Sequence, residues 1–148
     1  MENIKYNEMT ESYKKKLEEE LFWRKNEEKD RILKAIAEAR SQGDLSENAD
    51  YATAREAQKQ NDHEIELLEE KLKYVKIIQA KRIVVKYKGI KEEKEFYICG
   101  SESNPFDNKI SSDSPLARAV YGHEAGDTVY MSLGNGKEIE IKIIYIEA

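Results

Sequence analysis

The stretch Gly43-Asp44-Leu45-Ser46-Glu47-Asn48-Ala49-Asp50-Tyr51 reads as a turn between two long, highly charged helical segments, and it gathers the carboxylates Asp44, Glu47 and Asp50 there. Gly43 is suited to the left-handed conformation that ends a helix. On its N-terminal side Tyr13, Leu17 and Leu21 recur every four residues, and Ile32, Ile36 and Ala39 resume the stripe. This predicts a first helix from about Thr10, which can cap it, to about Ser41. On the C-terminal side a second helix is expected from about Ser46 to Ile78, with Ile65, Leu68, Leu72 and Val75 at the spacing of a coiled-coil seam.

Folding the chain back at the turn pairs Leu17 with Leu72, Leu21 with Leu68 and Ile32 with Ala57 in one constant register. The polar run 24–31 then faces 58–65, which is polar up to Ile65. An antiparallel hairpin follows, and at 1.5 Å per residue its arms of roughly 30 residues extend about 45 Å. A turn at the end of such a hairpin can be carried into another molecule.

Beyond Ala80 the texture becomes β: Arg82 to Tyr87, Phe96 to Ile98, Val129 to Met131 and the alternating Glu138 to Ile143, with Gly134-Asn135-Gly136 as a hairpin signal between the last two. Pro115 to Tyr121 fits a short helix, since Ser114 can cap it, Pro115 suits its first position and Gly122 can end it. The fold class is α+β, with residues 1–79 as an antiparallel coiled-coil hairpin and 80–148 as a small β-sheet domain with a short helix.

The 148 residues carry 37% charged side chains and a net charge of -5, which suits a hairpin rich in surface. Neither half is basic, whereas a protein that coats duplex nucleic acid normally carries a positive balance. Local nucleic-acid contacts remain open, because Arg40 and Arg55 flank the turn. The single cysteine, Cys99, excludes an intrachain disulfide and reads as a packed strand thiol. His63 and His123 read as surface residues without metal-ligand company. The absence of an apolar leader or a membrane-length run predicts a cytoplasmic protein with no membrane partner.

The turn has two readings. Asp44 and Glu47 fit a capping-box variant, Asp44 accepting a backbone N–H and Glu47 reaching back, while Asp50 suits a first-turn acid favoured by the helix dipole. They also fit metal chemistry, though two carboxylates make a poor cage alone for Mg²⁺, which demands octahedral geometry and keeps waters. They could complete a site whose remaining ligands belong to a partner.

The turn, with Ile36-Ala37-Glu38-Ala39-Arg40 before it, Ala54-Arg55-Glu56-Ala57-Gln58 after it and Ser114-Pro115-Leu116-Ala117-Arg118-Ala119 with Gly122 further on, resembles the Gre transcript-cleavage factors in order and spacing. The resemblance spans nearly the whole chain and implies an N-terminal antiparallel coiled coil followed by an FKBP-like domain. It implies a transcription elongation factor that is not itself a nuclease. Such a factor binds bacterial RNA polymerase, inserts its hairpin into the secondary channel and stimulates the polymerase's own Mg²⁺-dependent cleavage of backtracked RNA.

By the same resemblance Asp44 and Glu47 are the catalytic residues, holding Mg²⁺ together with the polymerase and orienting water, while Leu45, Asn48 and Tyr51 shape the tip. Arg40 and Arg55 lie where the family contacts the nascent RNA 3′ end, and Asp113, Ser114 and Pro115 lie on its docking surface for polymerase. From the residues alone, the arginines read as solvated helix-face charges, and Tyr51 equally as a packing or a stacking residue. Family members usually carry a further segment, including a strand, where Ile77 to Lys81 here lead almost directly into the β region; they also often have proline in place of Asp30, so the resemblance implies a weaker bend. Competing readings are a channel-blocking relative of the same fold, a non-catalytic coiled-coil adaptor, and a prolyl isomerase, for which the sequence shows no evident aromatic-lined site.

Overall fold

The computed structural model describes residues 4–43 and 45–148, with the backbone alone for 45–48. The chain divides into two compact units: Lys14–Tyr74 with Ile4, and Lys5–Tyr13 with Val75–Ala148. The first is a helical hairpin and the second is built on β-sheet, as the α+β reading requires.

In the hairpin, α1 (Glu11–Trp23) passes through a π-helical turn, Arg24–Glu28, into α2 (Lys29–Gln42), and α3 (Leu45–Lys73) returns. Thr10 Oγ1 accepts the Tyr13 N–H at 3.3 Å, satisfying one of the donors that a helix start leaves free. Gly43 follows α2 at φ +70°, the left-handed conformation in which a side chain would be strained. Ile32, Ile36 and Ala54 pack together with Ala35, Tyr51 and Ala57 around them, so the two arms run antiparallel in the register expected of Ile32 and Ala57. Leu17 and Leu68 are also buried.

The expectation of one uninterrupted first helix is corrected by the π turn. Along the first arm the inward positions Leu17, Leu21, Arg24, Glu28, Ile32, Ala35 and Ala39 advance in more four-residue steps than a heptad allows. A turn with extra residues absorbs the surplus. Arg24 bonds to Asn61, one helical turn along α3 from Ile65, the residue that constant pairing would set opposite it.

The second helix likewise stops short of the expected Ile78. After Lys73 the chain forms β2 (Val75–Ile77), which pairs in parallel with β1 (Asn7–Met9), Met9 opposite Ile77. Tyr74-Val75-Lys76-Ile77-Ile78 is aromatic and β-branched, which favours extended chain, and the N-terminal strand supplies the partner. Val75, read as a coiled-coil position, belongs to this strand. Met9 is fully buried, and Ile78 N–H donates to its carbonyl at 2.9 Å.

The remaining strands are β3 (Lys81–Tyr87), β4 (Lys94–Ile98), β5 (Lys109–Ile110), β6 (Thr128–Ser132) and β7 (Glu138–Ile146), in the sheet order β5-β4-β3-β7-β6. β5 and a single 3₁₀ turn, Pro105–Asp107, fall in a stretch that carries no strand signal. Alternation along β3 and β7 turns Ile83, Val85, Ile141 and Ile143 to one face, where all four are fully buried. Leu116 and Val120 of α4 (Pro115–Val120) and Val129 of β6 close that core. The β6–β7 hairpin turns through Gly134 and Gly136, both at positive φ, as its sequence predicts.

Gly100 sits where β1 crosses the end of β4: at φ +71° it leaves no room for a side chain, because a Cβ there would run into the Glu8 carbonyl oxygen. Cys99 beside it is 1% exposed, a packed thiol whose pKa burial raises. Glu102, also buried, pairs with Lys109 Nζ at 3.4 Å. No helix among the described residues is long and apolar enough to cross a membrane.

Candidate functional site

The acidic turn lies between Gly43 and the first turns of α3. Asp44 falls outside the described residues, as do the side chains of Leu45, Glu47 and Asn48, so both the capping and the metal reading of Asp44 and Glu47 concern groups outside them. Asp50 is described, exposed and in the second turn of α3. Among the described residues no group of three or more His, Cys, Asp or Glu side chains could hold a metal ion. His123 does have an acidic neighbour, Asp127, at 3.4 Å.

At the base of the turn Tyr51 joins two kinds of interaction. Its half-buried ring packs on the Ile32, Ile36 and Ala54 cluster, tying the start of α3 to the end of α2. Arg40 reaches across from α2, its guanidinium carbon 5.5 Å from the ring centroid, and Nη2 donates to the phenol oxygen at 3.3 Å. That hydrogen bond and the Arg40 charge push the phenol pKa down, with a smaller contribution from Arg55. The phenolate is the form a neighbouring cation favours.

Arg40 and Arg55 are both exposed, and Arg55 Nη1 donates to Gln58 Oε1 at 2.6 Å, one turn further along α3. Arg40 is thus held on an aromatic platform and Arg55 by a neighbour on its own helix, on opposite arms of the hairpin. The cations can meet an anion brought to the turn. The link from Arg40 to Tyr51 is absent from the sequence reading, although the fold-back register places the two on facing arms; that register was the available signal.

In the β-sheet unit, Ser114 caps α4: at φ -64°, ψ 153° its hydroxyl accepts the Ala117 N–H at 3.2 Å, and Pro115 occupies the first turn. Asp113 and Pro115 are exposed beside it. A groove adjoins this loop, lined by Phe96, Pro115, Tyr130, Met131 and Leu133, with Asp113 and Arg118 also lining it. Its aromatic residues come from separate strands, so no linear pattern announces it. This qualifies the view that the β domain lacks an aromatic-lined site, while an aromatic groove on a fold does not by itself define an activity.

A long helical hairpin with an acidic turn, joined to a sheet unit with a capped helix and an aromatic groove, defines the molecular class. Two family models divide the chain between them: transcription elongation factor, N-terminal, over residues 7–77, and transcription elongation factor, GreA/GreB, C-terminal, over 73–148. The chain is 39% identical to transcription elongation factor GreA of Halalkalibacterium halodurans, across 99% of each protein. It is 40% identical to that of Allorhizobium ampelinum, over 90% of this chain and 92% of the relative. Among solved structures it is similar to the transcription factor Gfh1, at 19% identity and a TM-score of 0.47, covering 99% of this chain and all of that one. The chain belongs to the GreA/GreB family of transcription elongation factors.

Proposed function

We propose that the chain binds bacterial RNA polymerase through its sheet unit, carries the acidic turn into the secondary channel and stimulates the polymerase's own cleavage of backtracked RNA. The observation that carries this reading is the pairing of family matches over both parts of the chain with an acidic turn at the distal end of the hairpin. The chemistry of the donor set supports a shared rather than a self-contained metal site. Asp44 and Glu47 offer at most a few oxygens, too few to enclose Mg²⁺, and phosphate oxygens or polymerase carboxylates would complete the shell.

Held there, Mg²⁺ would supply Lewis-acid stabilisation of the attacking and leaving oxygens of the phosphodiester. Asp44 and Glu47 contribute negative charge that favours this cation, and a carboxylate can orient water for attack. In this reading Arg40, which packs against the Tyr51 ring, and Arg55 hold phosphates of the RNA 3′ segment by charge-assisted hydrogen bonds. Leu45, Asn48 and Tyr51 shape the turn that presents the acids. The loop of Asp113, Ser114 and Pro115 provides the docking surface, where the Ser114 cap fixes the backbone beside the groove. In this scheme the chain activates hydrolysis by polymerase and acts in the cytoplasm.

The test is to add the protein to a halted, backtracked elongation complex with Mg²⁺ and follow the nascent RNA on a gel. Shortened RNA that extends again on addition of nucleotides is expected. RNA that stays at full length, with polymerase occupied, would favour a channel-blocking factor.

A further inference from the structure

Midway along the hairpin the apolar interior is interrupted. Ala54, Asn61 and Leu68 follow one another at heptad spacing on α3, and all three are buried, Asn61 at 4% exposure. Asn61 is the buried polar residue of the hairpin among its described residues. It faces the π turn of the first arm, and the pairing is reciprocal: Asn61 Nδ2 donates to the Arg24 carbonyl oxygen at 2.9 Å, and Arg24 Nη1 donates to Asn61 Oδ1 at 3.2 Å.

Arg24 is itself fixed by Glu20, whose carboxylate accepts from Nε at 2.8 Å. Within the same turn Asn26 Nδ2 donates to the Phe22 carbonyl oxygen at 2.8 Å. The Arg24 carbonyl at the head of the widened turn accepts the Asn61 donor from the facing arm, as a carbonyl with two lone pairs can.

We propose that Asn61 and the π turn at Arg24 form a register latch, making Asn61 a positioning residue for the acidic turn at the hairpin's end. A wholly apolar seam fixes two helices weakly against sliding, because leucine and isoleucine contacts re-form after a slip. A buried amide does not tolerate one, since the slip strands its donor and acceptor away from water, and single polar residues at such seam positions specify register at some cost in stability. Here the partner is specific, because Arg24 supplies both the guanidinium donor and the carbonyl acceptor that the amide uses, and a one-turn slip separates Asn61 from both. A slip of one helical turn displaces the arms by about 5 Å, and even about 1 Å of misplacement lowers the efficiency of a positioned group.

The test uses the full chain with Cys99→Ser and spin labels on Lys34→Cys and Glu70→Cys, exposed positions on α2 and α3 set well apart along the hairpin axis, so that a slip changes their separation. Pulsed dipolar spectroscopy should give one narrow distance for the parent. For Asn61→Leu it should give a broadened distribution or a second population displaced by several ångströms, the part of a one-turn slip that lies along the line between the labels, with a melting temperature equal to or above the parent's. Asn61→Ala, measured in parallel, should broaden the distribution as well.

The consequence for activity rests on the proposed function: stimulated RNA cleavage should fall at least about tenfold in Asn61→Leu. A parent that stimulates no cleavage, with the broadening still present in the variants, would defeat the functional reading and support the latch. A parental narrow distance in both variants would overturn the latch, whatever their activity. Loss of folding in both would overturn it too, since Asn61 would then be needed for the fold rather than for its register.

Discussion

The two units of this chain bury their interiors in different ways. In the sheet unit Ile83, Val85, Ile141 and Ile143 are fully buried in one continuous cluster, closed by Leu116, Val120 and Val129. In the hairpin, burial comes in separate patches: Ile32, Ile36 and Ala54 near the turn, Leu17 and Leu68 further back, and the polar contact of Arg24 with Asn61. A sheet stacked under a helix excludes water over an area, whereas two helices exclude it only along a line. The sheet unit therefore has apolar burial to spare, while the hairpin depends on a few contacts placed at the right positions.

Truncation within the two interiors should expose this contrast. Ile141→Ala removes a fully buried side chain from the centre of the sheet and should cost about 4 kcal/mol, toward the upper part of the range for such changes. Ile32→Ala, in a cluster that also contains small alanines and opens to solvent along its sides, should cost about 2 kcal/mol. Denaturant unfolding of each variant, followed by circular dichroism, measures both. Equal losses would mean that the hairpin packs as continuously as the sheet.

A smaller effect tests local order at the proposed docking loop. Ser114→Ala removes the acceptor for the Ala117 N–H and should lower stability by about 1 kcal/mol, while Ser114→Asp, which keeps a cap, should preserve it. If polymerase docking tracks the loop's shape, competition for polymerase should weaken in the first variant and survive in the second.

The smallest effect concerns the phenols. Arg40 favours the charged form of Tyr51, while burial raises the pKa of Tyr87 in the sheet unit, so Tyr51 should titrate below it when the individual ring resonances are followed by NMR against pH. Arg40→Gln should move the Tyr51 titration upward. Because the folded-state pKa of Tyr51 is depressed, its contribution to stability is present above the unfolded value near 10 and lost as pH falls through the folded one. Stability at neutral pH should not depend on it.

Periodicity made much of this architecture legible. The four-residue stripe of Tyr13, Leu17 and Leu21, the recurrence at Ile32 and Ile36, and the heptad spacing on the return arm announce a hairpin, because a helix face must be covered. Alternation in Glu138 to Ile143 and the paired glycines at 134 and 136 likewise announce a β-hairpin. The short parallel pair of Asn7–Met9 with Val75–Ile77 was less visible: its strands have three residues each and come from distant positions, so neither shows a pattern until the other is present. The π turn was hidden for a related reason. Arg24 and Asn61 read as members of two facing polar runs, and only their reciprocal hydrogen bonds reveal them as a specific pair. At the turn, residue types and spacing suggest chemistry, while the Arg40 platform on Tyr51 required the two arms in place.

The proposed function requires Asp44 and Glu47 to act through their charge rather than as helix caps. The rate of RNA cleavage in a halted, backtracked polymerase complex, measured with the Asp44→Asn, Glu47→Gln double variant, separates the two roles. Asparagine remains a good N-cap and glutamine a capping-box residue, so the helix start is preserved while both negative charges are removed. The expected variant is folded, competes for polymerase as the parent does and leaves the RNA uncut, a loss of at least about a hundredfold in stimulated cleavage, or about 2.7 kcal/mol in the barrier. A folded, polymerase-binding double variant that still cleaves at the parental rate would refute the role assigned to the two carboxylates.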